Sequence, residues 1–187
     1  TSTKTRLIDS RSKQHIVRID NDVISTPLSI DSEIPGIYDA IVVSDYNKGT
    51  VSYELVEDIR QHYPGPIFID TKKTDLARFE GCYVKINSLE NSLAKTLCTD
   101  LIVTMGKQGA VYNEITYPTP NVEVADVCGA GDTFLAALVC SFLNTQDIEQ
   151  AITFANHAAG KTVQHSGVYA LTEQDITDIY ESINNRS

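Results

Sequence analysis

An α/β fold with a mostly parallel central sheet is the class this sequence predicts, on three observations. Short apolar runs alternate with longer amphipathic stretches along most of the 187 residues, the pattern of strands joined by right-handed helical crossovers. Four of the apolar runs lead straight into polar stretches, and binding sites of open α/β sheets lie at the carboxyl ends of strands. A glycine-rich turn, Asp126-Val127-Cys128-Gly129-Ala130-Gly131-Asp132-Thr133, opens directly into the apolar run from Phe134 to Leu143.

The elements follow in order. His15 to Asp20 alternates apolar and polar residues and reads as a half-exposed strand. Ala40-Ile41-Val42-Val43 is a continuous apolar run, as a parallel strand covered on both faces requires. Ser52 to His62 follows as a helix, with Ser52 as cap and Leu55, Val56 and Ile59 on one face. Pro64-Gly65-Pro66 stops it. Ile67-Phe68-Ile69, Tyr83-Val84-Lys85-Ile86 and Leu101-Ile102-Val103-Thr104 are the next strands. Gly109 to Tyr112 and Glu114 to Tyr117 resemble an antiparallel edge. The run from Phe134 is a buried helix, and two or three helices close the chain. Thr172 and Asp175 have capping-box spacing before Ile176 and Ile179 of the last helix.

The polar stretches are Ser44-Asp45-Tyr46-Asn47-Lys48-Gly49, Asp70-Thr71-Lys72-Lys73, Asn87-Ser88-Leu89-Glu90 and Met105-Gly106-Lys107. Four strand ends in succession carry charge and amide groups, which predicts one clustered site. The Gly129–Asp132 turn is its strongest part. A glycine turn opening a helix presents unpaired N–H groups and the positive end of the helix dipole, a ready anion site. A carboxylate there repels an anion unless it takes a proton from the group attacking that anion, so Asp132 suggests phosphoryl transfer to a hydroxyl; the plainer reading makes it a helix cap. The turn is neither a P-loop nor a dinucleotide fingerprint, lacking the terminal Gly-Lys-Ser/Thr and the third glycine. Asn87-x-x-Glu90 fits a hydrated magnesium site or a cap equally well. Lys72 and Lys48 either neutralise phosphate charge or are simply solvated. Cys128 beside the anion turn has either a lowered pKa or a packing role. His157 and His165 have no carboxylate partner in the sequence and take no role.

Bulk properties narrow the classes. Hydrophobic content of 42% and charged content of 21% are those of a globular domain with a real core. A net charge of -10 argues against nucleic-acid binding. Lys4, Arg6, Arg11, Lys13 and Arg18 concentrate basic charge at the start, either to meet an anionic substrate or as a solvated strand pair, whereas beyond Gln108 only Lys161 and Arg186 are basic. Cys82, Cys98, Cys128 and Cys140 have no CxxC spacing, so reduced thiols and a cytoplasmic location are expected. No run approaches the ~20 residues of a membrane span.

Asp126 to Asp132 resembles the second signature of the ribokinase-like (PfkB) carbohydrate kinases. Asn87-x-x-Glu90 resembles that family's Asn-x-x-Glu motif, and Thr104-Met105-Gly106 its Thr-x-Gly step, with Gly109-Ala110 following. Within the family the likeness is to the kinase domain of the bacterial heptose-7-phosphate kinase/ADP-heptose synthases. Thr3-Lys4-Thr5-Arg6 and Gln14 to Asp20 resemble its strand pair, Ser44-Asp45-Tyr46-x-Lys48-Gly49 its Ser-Asp-Tyr-x-Lys-Gly stretch, and Asp70-Thr71-Lys72 its Asp-Pro-Lys. Phe154-Ala155-Asn156-x-Ala158-Ala159-Gly160 resembles its late adenine-side helix.

The resemblance implies a three-layer ribokinase-like fold and ATP-dependent phosphoryl transfer with Mg2+ to a sugar or sugar-phosphate hydroxyl. Asp132 would accept the hydroxyl proton, and Gly129, Ala130 and Gly131 would offer N–H groups to the phosphoryl. Asn87 and Glu90 would organise magnesium and the nucleotide phosphates. Thr104 and Gly106 would line the nucleotide site, and Asn156 would lie near adenine. Two departures shape the expectation. The chain opens where the family is leaving its lid, without the Gly-Gly sugar-binding part, and only Asn91 to Asp100 separate Glu90 from Leu101, where the family has a longer helical stretch. A single partial domain over 1–187 is expected, with 1–24 as lid-derived strands and 25–187 as the nucleotide-binding core. The expectation is then either a fragment, or a reduced homologue whose acceptor site is incomplete or is completed by a homo-oligomer or a partner chain. The alternative is a truncated, non-catalytic module that binds nucleotide or a partner, and fructokinase- or adenosine-kinase-like specificity stays open. Neither membrane nor nucleic acid is an expected partner.

Overall fold

Strand pairing divides the chain into two sheets. The computed structural model describes residues 2–12, 14–30 and 37–185; Lys13 and Arg186 of the basic residues lie outside them. Strands β1 (Thr3–Ile8) and β2 (His15–Asn21) form an antiparallel ribbon in which Arg6 lies opposite Arg18 and Lys4 opposite Asp20. Alternation predicts one buried face for β2, yet Ile16, Val17 and Ile19 are all exposed, as are Leu7 and Ile8. The reason is physical: two strands alone cover neither of their faces. The segment that follows ties the ribbon to the main body. Ser25 N donates to Lys48 O at 2.8 Å and Leu28 N to Thr50 O at 2.9 Å, while Lys48 Nζ pairs with Asp22.

The second sheet has six strands in sequence order: β3 (Ile41–Asp45), β4 (Ile67–Thr71), β5 (Tyr83–Asn87), β6 (Leu101–Thr104), β7 (Ala110–Tyr112) and β8 (Ile115–Tyr117). The first four are parallel and the last two antiparallel, as expected of the edge. Ile67, Phe68 and Ile69 are all buried because helices cover both faces of β4. On one face lies α1 (Tyr53–His62), started by Ser52 Oγ, which accepts from Leu55 N at 3.1 Å. Its Leu55, Val56 and Ile59 pack on Val43, Ile67, Ile69 and Val84. A six-residue helix, α2 (Ser88–Leu93), sits between β5 and β6.

The other face is covered by α3 (Ala130–Thr145), α4 (Ile148–Thr162) and α5 (Glu173–Asn184). Helices α3 and α4 form a hairpin joined by Gln146 and Asp147; Asp147 accepts from Glu149 N and Gln150 N to start α4. Buried Ala137, Ala151, Ala155 and Ala158 belong to the core these helices share. Phe142 reaches the sheet and meets Phe68 edge-on at 5.5 Å, and burying such a side chain contributes about 1.5–3 kcal/mol. Thr172 and Asp175 close the capping box of α5. Sheet and helices thus form three layers, with the first turn of α3 lying at the carboxyl ends of β4 and β5. No helix among the described residues is long and apolar enough to cross a membrane.

Candidate active site

The glycine-rich turn is braced from one side by Asp126. Its Oδ1 accepts from Cys128 N and its Oδ2 from Gly167 N, each at 3.0 Å, which joins the turn to the segment after α4. Gly129 then takes a left-handed conformation, φ 79°, that a residue with Cβ enters only at a cost. This reversal aims the start of α3 at the strand ends. The N–H groups of Gly131 and Asp132 have no partner among the described residues. The Asp132 side chain is exposed, on the solvent side of the turn. Cys128 has no lowered pKa: its hydrogen bond to Asp126, together with burial, pushes the thiol up.

Beneath the turn lies a residue that the sequence reading passed over as part of a strand. In the parallel register Phe68 faces Tyr83, and two residues on Asp70 faces Lys85. The rings of the first pair stack at 5.0 Å. The second pair, one step nearer the strand ends on the same face, is ionic: Lys85 Nζ donates to Asp70 Oδ2 at 2.7 Å. Lys85 is only 5% exposed. A Cβ on Gly131 would stand 3.1 Å from Lys85 Nζ, so glycine there lets the ammonium lie against the helix start. Burial raises the Asp70 carboxyl above its ordinary value against the pull of Lys85, and the charges of Glu90 and Asp132 push the same way. Asp70, Lys85, Glu90 and Asp132 therefore share one electrostatic neighbourhood. A lysine inside an otherwise apolar parallel strand was the available signal.

Asn87 and Glu90 flank this group as a capping box. Asn87 Oδ1 accepts from Glu90 N and Glu90 Oε2 from Asn87 N, both at 2.8 Å. Thr104 is the β6 partner of Asn87, and its Oγ1 donates to Ile86 O at 3.2 Å. Gly106 opens the exposed turn Gly106–Gln108 just beyond. These residues meet at neighbouring strand ends. Two other expected site residues lie elsewhere. Asn156 is buried in α4, where its Nδ2 donates to Tyr117 O at 2.8 Å. Lys72 is exposed and lies over the Tyr46 ring, 5.2 Å from its centroid.

The first two strand ends are stitched together by buried groups. Thr71 Oγ1 donates to Asp45 Oδ2 at 2.9 Å, and Lys73 Nζ lies 3.5 Å from the same oxygen and donates to Asn47 Oδ1. This lock holds the Ser44–Gly49 turn beside the ribbon. Between ribbon and turn is a cleft of about 560 Å3 lined by Lys4, Arg6, Tyr46, Lys48 and Thr50 among others. It adjoins the glycine-rich turn, since the Arg6 charge is felt at Cys128. No group of three or more His, Cys, Asp or Glu among the described residues is placed to hold a metal ion.

The family model described as pfkB family carbohydrate kinase matches residues 55–175. The chain belongs to this family. Among curated relatives, it is 32% identical over 215 residues to the bifunctional protein HldE of Nitratiruptor sp., covering 98% of this chain and 46% of that protein. It is 33% identical to the bifunctional protein HldE of Aliarcobacter butzleri, covering 97% of this chain and 45% of that one. The chain thus spans under half the length of these relatives. The first alignment is also longer than this family member's 187 residues, so positions of that relative lack a counterpart here.

Solved structures share the ribokinase fold. Ribokinase from Thermotoga maritima aligns with a TM-score of 0.70 at 16% identity, over 97% of this chain and 70% of that one. Arabidopsis thaliana ribokinase complexed with ribose and ATP aligns with a TM-score of 0.69 at 16% identity, over 96% and 69%.

Proposed function

We propose that this chain is the kinase portion of a cytoplasmic, ATP-dependent enzyme that phosphorylates a hydroxyl of a sugar phosphate, with a heptose 7-phosphate as first candidate. The observation that carries the reading is the start of α3: two N–H groups without a partner among the described residues, beside an exposed carboxylate, Asp132, at the carboxyl ends of β4 and β5. The acceptor oxygen bonds to the γ-phosphorus, the bond from that phosphorus to the β-phosphate oxygen breaks, and ADP leaves with the electron pair. The hydroxyl proton passes to Asp132. Gly129 shapes the turn from Ala130 to Asp132, and the N–H groups of Gly131 and Asp132 meet the developing charge.

Other expected roles are parts of the same proposal. Thr104, Gly106 and Asn156 would line the nucleotide side, Asn156 by fixing the end of β8, and Lys72 would add positive charge. Glu90 uses one oxygen on its cap and keeps Oε1, and Asn87 holds Glu90 in place. That fits a magnesium ion that retains its water shell, which would neutralise the triphosphate. The cleft supports a phosphorylated acceptor because Lys4 and Arg6 supply positive charge on an otherwise acidic chain.

A panel of sugars and sugar phosphates with magnesium and ATP tests the reading by phosphate transfer. Asp132→Asn is expected to slow transfer about 100- to 10,000-fold and to leave nucleotide binding intact. Normal turnover in that variant would sink the assignment of Asp132. A second reading, a non-catalytic module completed by another copy or a partner chain, is favoured by the exposed apolar ribbon and by β3 standing at a sheet edge. Kinase activity from a strict monomer counts against it.

A further inference from the structure

A buried ammonium beneath an anion-binding turn needs a reason to be there. For stability alone, an apolar pair continuing the Phe68–Tyr83 stack would serve as well, since a buried ion pair is often no better than well-packed apolar groups. Lys85 is nonetheless an ammonium, with three N–H donors. Asp70 takes one at 2.7 Å, and the others have no partner among the described residues. Among the described residues outside its own helix turn, a Cβ at position 131 would meet this nitrogen, at 3.1 Å. The Lys85 ammonium therefore lies against the same first turn of α3 in which the N–H groups of Gly131 and Asp132 have no partner among the described residues.

We propose that Lys85, held by Asp70, is a further residue of the phosphoryl site and donates to a non-bridging oxygen of the transferring γ-phosphoryl group. The role rests on the kinase reading above. Asp70 is a positioning residue: it lies opposite Lys85 in the strand register and fixes where the ammonium stands. A cation fixed in advance in a site sheltered from water stabilises developing charge without reorganising during transfer. A charge near the γ-phosphate also separates ATP from ADP.

The test compares binding of magnesium complexes of AMP-PNP, a non-hydrolysable ATP analogue, and of ADP, and measures transfer from ATP. The wild type is expected to hold AMP-PNP at least about 10-fold more tightly than ADP, as a charge-assisted hydrogen bond allows. Lys85→Met removes that preference, leaves ADP affinity within about threefold and lowers kcat about 100- to 1000-fold. A merely structural lysine would weaken both nucleotides together. Should Lys85→Met fail to fold because Asp70 is left without its partner, the Lys85→Met/Asp70→Asn double variant removes both charges and is read in the same way. A variant that keeps the AMP-PNP preference overturns the proposal, as does a wild type that shows none. A wild type that prefers AMP-PNP yet transfers to no acceptor sinks the kinase reading alone.

Discussion

Replacing Gly131 by alanine is expected to leave stability nearly unchanged and to slow phosphoryl transfer. The added Cβ would stand 3.1 Å from Lys85 Nζ, where ordinary contact begins at 3.4 Å, so the ammonium retreats by about 0.3 Å. Its bond to Asp70, 2.7 Å in the wild type, stretches to about 3.0 Å and remains a hydrogen bond. Alanine stabilises a helical position by about 0.4–1 kcal/mol relative to glycine. The crowding costs a similar amount, leaving a net change within about 1 kcal/mol, or about 4 °C in Tm for a domain of this size. Catalysis is less forgiving. A misplacement of about 1 Å costs on the order of 100-fold; scaled exponentially, 0.3 Å costs about fourfold as a minimum. Thermal melting and a coupled assay of ADP release measure the two effects. In Lys85→Met the methyl has no ammonium to displace, so adding Gly131→Ala costs less there than in the wild type. A Tm drop beyond about 8 °C, or a Gly131→Ala enzyme with full kcat, would refute the placement of Lys85 beneath the turn.

The remaining predictions concern acid and thiols. Asp175 accepts from Thr172 N, Thr172 Oγ1 and Tyr169 Oη and lies near Lys161, so its carboxyl is held well below the usual carboxylate range. A depressed folded-state pKa stabilises the fold above the unfolded value, about 3.9. That contribution is lost as pH falls below about 4. Asp175→Asn should flatten the acid limb of the stability curve measured by thermal melts between pH 7 and 3, and an unchanged limb would contradict this. Burial pushes the Cys98 thiol up to about 11, Cys82 is also raised by burial, and Cys140 is exposed. Mass-mapped labelling at pH 8 should therefore modify Cys140 first and reach Cys82 and Cys98 only on unfolding. Early labelling of Cys98 would refute the packing around it.

Much of this molecule is legible in the sequence because the signals are local. Apolar runs covered on both faces read as parallel strands, Ser52 and Thr172 announce helix starts by their own hydrogen bonds, and Gly129 marks a left-handed turn. The family motifs are short contiguous strings of the same kind. The buried face expected of β2 was misread because alternation shows which side chains share a face and says nothing of whether another layer lies against it. Asn87-x-x-Glu90 could not be settled between cap and metal site by spacing; folding turns both side chains onto each other's backbone N–H groups.

What only tertiary structure decided is the company each strand-end residue keeps. The parallel register sets Asp70 against Lys85 and Asp45 against Thr71, although 15 and 26 positions separate the partners. Register depends on how whole strands pack between two helical layers, and no local pattern encodes it. The sequence by itself determined that a glycine turn would open directly into the buried helix α3. The three-layer packing decided that a buried ammonium would lie beneath that turn.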